Sequence, residues 1–101
     1  MLYIGYRVLT ADGNVGNTAG QAVAVVSIQL NSGSGGAGSV ILRNGTTTGG
    51  TAVYEFTGAG ADALDVFTLA GGQGVTFPSG CFVDVGSNVD SVTVAYQATG
   101  R

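Results

Sequence analysis

Apolar and polar residues alternate along most of this chain, in short runs separated by glycine-rich corners. From Leu2 to Thr10, every second position is apolar: Leu2, Ile4, Tyr6 and Val8. From Ala22 to Leu30, the alternation places Ala24, Val26, Ile28 and Leu30 on one face, with Ser27 and Gln29 on the other. Thr51 to Thr57 sets Ala52, Tyr54 and Phe56 against Val53, Glu55 and Thr57, and Ser91 to Gln97 gathers Val92, Val94 and Tyr96. A period of two is the strand signature. Shorter runs at Ser39 to Arg43, Leu64 to Ala70, Gly74 to Phe77 and Cys81 to Val85 complete a set of about eight.

The separators suit turns. Asp12-Gly13, Asn44-Gly45, Gly49-Gly50 and Gly71-Gly72 can supply positive φ, and Pro78-Ser79-Gly80 forms a turn in which proline fixes φ. Ser87 and Asn88 are expected to close a last hairpin, and the Ser/Gly-rich stretch from Asn31 to Gly38 reads as a flexible loop. Helical spacing is nearly absent. The one tempting helical segment, Ala59 to Leu69, is weakened by Gly58 and Gly60 at its start. The expected fold is all-β: one domain spanning 1–101, an antiparallel β-sandwich of jelly-roll type, with a small barrel as the alternative.

Composition sharpens this picture. Apolar residues make up 45% of the 101 residues and charged ones only 9%, against about 25% in ordinary domains. The β-branched and aromatic content argues against disorder despite 19 glycines. Three arginines, no lysine, no histidine and a net charge of −3 exclude a counterion-displacing nucleic-acid surface and a polybasic membrane contact. So low a charge density gives weak protection against association, which suits a chain that works inside an assembly. Met1 to Arg7 lacks the basic-then-apolar pattern of a signal peptide, and Cys81 has no partner for an intrachain disulfide. Synthesis in a reducing cytoplasm, without export, is the expectation.

The region from Gly38 to Gln97 carries a resemblance. It runs from Ser39-Val40-Ile41-Leu42-Arg43-Asn44-Gly45 through Gly49-Gly50-Thr51-Ala52-Val53-Tyr54 to Phe77-Pro78-Ser79-Gly80-Cys81-Phe82-Val83-Asp84, and closes on Ser91-Val92-Thr93-Val94-Ala95-Tyr96. This order resembles small β-rich structural proteins of tailed bacteriophages, including capsid decoration or cement proteins. The resemblance implies a virion protein on the capsid surface, made in the host cytoplasm. Its partners would be the major capsid protein and further copies of itself as a homotrimer. A tail- or fibre-associated module binding host-surface glycan is the alternative.

Candidate chemistry is sparse. Without histidine or lysine, the usual serine or cysteine dyads cannot be built. Cys81 therefore reads as a small buried hydrophobe, and no enzyme and no cofactor are expected. Asp62 and Asp65, with Glu55 near them in sequence, could in principle serve glycoside hydrolysis or Ca²⁺ binding, but a solvated loop is the plainer reading. Gly33 to Gly38 imitates a phosphate loop, yet a strand follows it and no lysine is present. Tyr3, Tyr6, Arg7 and Arg43 are the candidate interface residues. The arginines could meet carboxylates across an interface or lie on the solvent face with their stems over apolar neighbours. With Tyr54 and Tyr96, the tyrosines could form a sugar-stacking platform, although core or interface packing is the commoner use.

Overall fold

The computed structural model describes residues 4–16 and 18–98. Nine strands lie among them: β1 Gly5–Leu9, β2 Gly13–Val15, β3 Val23–Ser32, β4 Ser39–Asn44, β5 Thr51–Thr57, β6 Leu64–Thr68, β7 Val75–Phe77, β8 Cys81–Val85 and β9 Val89–Ala98. They form two antiparallel sheets. Sheet A has the order β1-β9-β3-β6, with β7 also on β3, and sheet B the order β2-β8-β4-β5.

β6 and β7 pair successive halves of the same edge of β3, Ser27–Asn31 and Val23–Val25 respectively. They act as one strand interrupted by a 3₁₀ turn at Ala70–Gly72. Counted so, the molecule is an eight-stranded jelly roll: successive strands cross between the sheets everywhere except the β4–β5 hairpin and the interrupted strand. The expected sandwich is the one observed.

Its core lies between the sheets. Val23, Val25, Ile28, Leu30, Phe77, Val92 and Val94 from sheet A meet Val15, Val40, Leu42, Cys81 and Val83 from sheet B, all buried. Each such side chain contributes about 1.5–3 kcal/mol on leaving water. The open side between β5 and β6 is plugged by stacked rings. Tyr54 lies 5.9 Å from Phe56, and Phe56 lies 4.7 Å from Phe67, centroid to centroid.

Several expectations need correction. Ala24 and Val26 do not share the inner face with Ile28 and Leu30. The β3–β9 register shifts between Val25 and Ser27, so Val26 is an extra residue and the inner face passes from Val23 and Val25 to Ile28 and Leu30. A bulge does this without any change in composition. Gly13, expected in a turn, begins the short strand β2. Of the glycines expected at positive φ, Gly45, Gly71 and Gly72 adopt it, whereas Gly13, Gly49 and Gly50 do not. Asn88, at φ 59°, leads from β8 in sheet B to β9 in sheet A, so it links the sheets and closes no hairpin. The Leu64 strand ends at Thr68, where Ala70 takes a positive φ.

The stretch from Asn31 to Gly38 is not a loose loop. Asn31 and Ser32 belong to β3. The Gly33 N–H donates to the Asn88 carbonyl at 2.7 Å, and the Gly38 N–H donates to the buried Ser32 Oγ at 3.0 Å. A Cβ on Gly35 or Gly38 would lie 2.6 or 2.7 Å from Asn88. Glycine is present here because two segments touch.

Candidate interaction surface

Two of the carboxylates hold the fold. Asp12 Oδ1 accepts from the Val85 N–H at 2.7 Å, and Asp65 Oδ2 accepts from the Ala59 N–H at 2.9 Å. Asp65 thereby ties the β5–β6 connection, while Asp62 stands beside it at φ 59°. Among the described residues, no three metal-ligating side chains gather and no pocket is found. No helix among them is long and apolar enough to cross a membrane.

Cys81 faces the core from β8, and burial pushes its thiol up from 9.0 to about 12. The thiolate is the reactive form. Native protein at pH 8 is expected to leave Ellman's reagent unreacted, with one equivalent of thiol released only in denaturant. Rapid native labelling would place Cys81 outside the core.

The candidate interface residues occupy different settings. Tyr3 lies outside the described residues. Tyr6 is 70% exposed on β1. Arg7, also exposed, pairs opposite Val94 and so shares its pleat, on the inner side of an edge strand. A charge placed so discourages strand addition at that edge. Arg43 serves its own chain. From the outer side of sheet B its Nε donates to Asp84 Oδ2 at 3.0 Å, and a terminal guanidinium nitrogen donates to the Gly50 carbonyl at 3.1 Å. The pair is part-exposed and contributes little, about 0–1 kcal/mol.

Nor do Tyr6, Tyr54 and Tyr96, the tyrosines among the described residues, form a platform. Tyr54 stacks on Phe56, and Tyr96 covers Gly5, whose Cβ would lie 2.9 Å from the ring.

The feature that sequence reasoning did not isolate is the outer face of sheet A. Past the bulge at Val26 its register gives three cross-strand rows, and before it Gln97, Ala24 and Thr76 form a fourth. Tyr6, Ala95, Ser27 and Thr68 form one row; Val8, Thr93, Gln29 and Val66 form the next; Ser91, Asn31 and Leu64 form the third. Asn31 Nδ2 donates to Ser91 Oγ at 2.8 Å within that third row. No row holds a charged side chain. The nearest charge along β9 is Asp90, at the bulge beside Gly33. Apolar side chains stand exposed at both margins: Tyr6 and Val8 on β1 with Ile4 just before it, and Leu64 and Val66 along β6. Alternation in β1 and β6 was the available signal, but only the register joins the two margins.

Comparison with protein-family models, with curated proteins and with solved structures finds no match.

Proposed function

We propose that this chain is a structural component of a tailed-bacteriophage virion, a decoration or cement protein that binds the assembled head and stabilises it. The observation that carries this reading is a jelly roll, without a pocket among the described residues, that leaves an uncharged, apolar-margined sheet face open. Jelly rolls recur in viral capsid domains, and that support is by analogy of fold. The sequence resemblance points the same way. The partners are the major capsid protein and further copies of this chain.

Stabilisation needs no chemistry. A protein that binds only the assembled lattice adds about 2.7 kcal/mol per site at a hundred times its dissociation constant, by mass action. The purified protein is expected to sediment with expanded heads lacking it, to ignore unassembled capsid protein, and to raise the melting temperature of the heads. If it remains in the supernatant with heads of the parent particle, the reading fails. A virion copy number near six or eighteen, rather than in the hundreds, would move it to the tail. The glycan-binding alternative has weaker support, because Tyr54 and Tyr96 are engaged in packing.

A further inference from the structure

The middle row across sheet A is symmetric in its chemistry. The middle row begins on Val8, passes through Thr93 and Gln29, and ends on Val66. Apolar groups stand at both ends, with small polar groups between them. A two-fold axis parallel to the strands, lying above the gap between β9 and β3, maps such a row onto itself reversed. Val8 of one copy then covers Val66 of the other, and Thr93 faces Gln29. In the adjoining rows, Ser91 faces Asn31, Ala95 faces Ser27, and Tyr6 faces Thr68.

We propose that the outer face of sheet A is a self-association surface, and that its occupant is a second copy of this chain packed face to face about that axis. Charge favours the same partner. The chain carries −3 overall, yet these rows contribute none of it, so two copies meet without like-charge repulsion. Asp90, at the end of β9, faces the end of the partner's β3 and not its own copy.

The area reaches what is needed. β1, β9, β3 and the β6–β7 edge supply 5, 10, 10 and 8 residues, which at about 3.3 Å rise and 4.8 Å spacing present roughly 520 Å². Two copies bury about 1,000 Å² in total, the lower bound for a specific interface. An isologous contact requires such a self-complementary face. The register therefore favours a two-fold pair over the trimer that the resemblance implies. The inference rests on the same open face as the virion reading and makes a second copy its occupant, but sedimentation of the isolated protein tests it apart from head binding.

Sedimentation equilibrium of the purified chain is expected to give twice its 9.9 kDa. Val66→Glu is expected to give monomers over the same concentration range, and Val8→Lys combined with Val66→Glu to restore the dimer in low salt. Val8→Cys with Val66→Cys is expected to form a covalent dimer on oxidation. Within one chain these positions sit three strand spacings apart, about 14 Å, beyond disulfide reach. The native cysteine is buried and takes no part. Both sites are about 62% exposed, so the variants should fold, which circular dichroism checks. A wild-type monomer or trimer overturns the proposal. So does cross-linking by Val8→Cys alone, which would signal β1 pairing edge to edge with another β1.

Discussion

Phe77→Ala is expected to cost about 3–5 kcal/mol of folding stability. Phe77 is the largest fully buried side chain among the described residues, and it sits in β7, a strand of three residues held to β3 alone. Its backbone partner is Val23, which is itself fully buried. Removing the ring leaves a void in a wall too short to collapse onto it, so the cavity cost adds to the lost transfer energy. A domain of this size has only about 5–15 kcal/mol in total. The melting temperature should therefore fall by on the order of 15–30 °C. Urea denaturation checks the prediction: the midpoint should fall while the slope is kept. Val53→Ala, at an exposed position on β5 of sheet B, is the control and should stay within about 0.5 kcal/mol. A loss below about 1 kcal/mol at Phe77 would mean that its ring does not fill the centre of the sandwich.

Where the strands run was legible from alternation, because a period of two survives any register. Which face turns inward was less legible. In β1 Tyr6 and Val8 point outward, and in β9 the apolar members Val92, Val94 and Tyr96 point inward. Both read alike as sequence. The difference lies in what stands opposite: sheet B covers β9, whereas its three-residue strand β2 leaves the flank of β1 open. The bulge at Val26 is equally silent, since one inserted residue reverses a face without breaking an apolar run.

The candidate surface shows the same limit. Arg43 looked free because its partner, Asp84, lies 41 positions away and is brought to it only by the pairing of β4 with β8. Tyr54 and Tyr6 occupy similar alternating strands. One is held in a ring stack that reaches Phe67 across the sandwich, and the other meets solvent. Val8 and Val66 are 58 residues apart in sequence and share a row only through the registers of β1, β9, β3 and β6. Local pattern specifies strands, and long-range register specifies surfaces.

Gly80→Ala is the second large effect. Gly80 has φ +97°, and a Cβ there would lie 2.9 Å from the Gly20 Cα and 3.1 Å from its nitrogen. Its N–H donates to the Phe77 carbonyl at 3.1 Å, and its own carbonyl accepts from the Gly45 N–H at 2.9 Å. The turn after β7, the approach to β3 and the β4–β5 hairpin thus meet at one residue without a side chain. An alanine suffers the left-handed penalty of about 1–2 kcal/mol and an overpacking cost of about 1–3 kcal/mol, because the obstacle is backbone and cannot rotate away. The expected loss is about 2–5 kcal/mol. Two other glycines separate the causes. Gly72 has φ +92° with nothing within 4 Å of its Cβ position, so Gly72→Ala should show the backbone penalty alone. Gly60 has the same open space without the left-handed φ, so Gly60→Ala should be neutral or stabilise by about 0.4–1 kcal/mol through the unfolded chain. Thermal melts of the three should rank Gly80 below Gly72 and Gly72 below Gly60. Were Gly80→Ala to melt with Gly72→Ala, the two backbones at Gly20 and Gly80 would not be in contact, and strain alone would account for the corner.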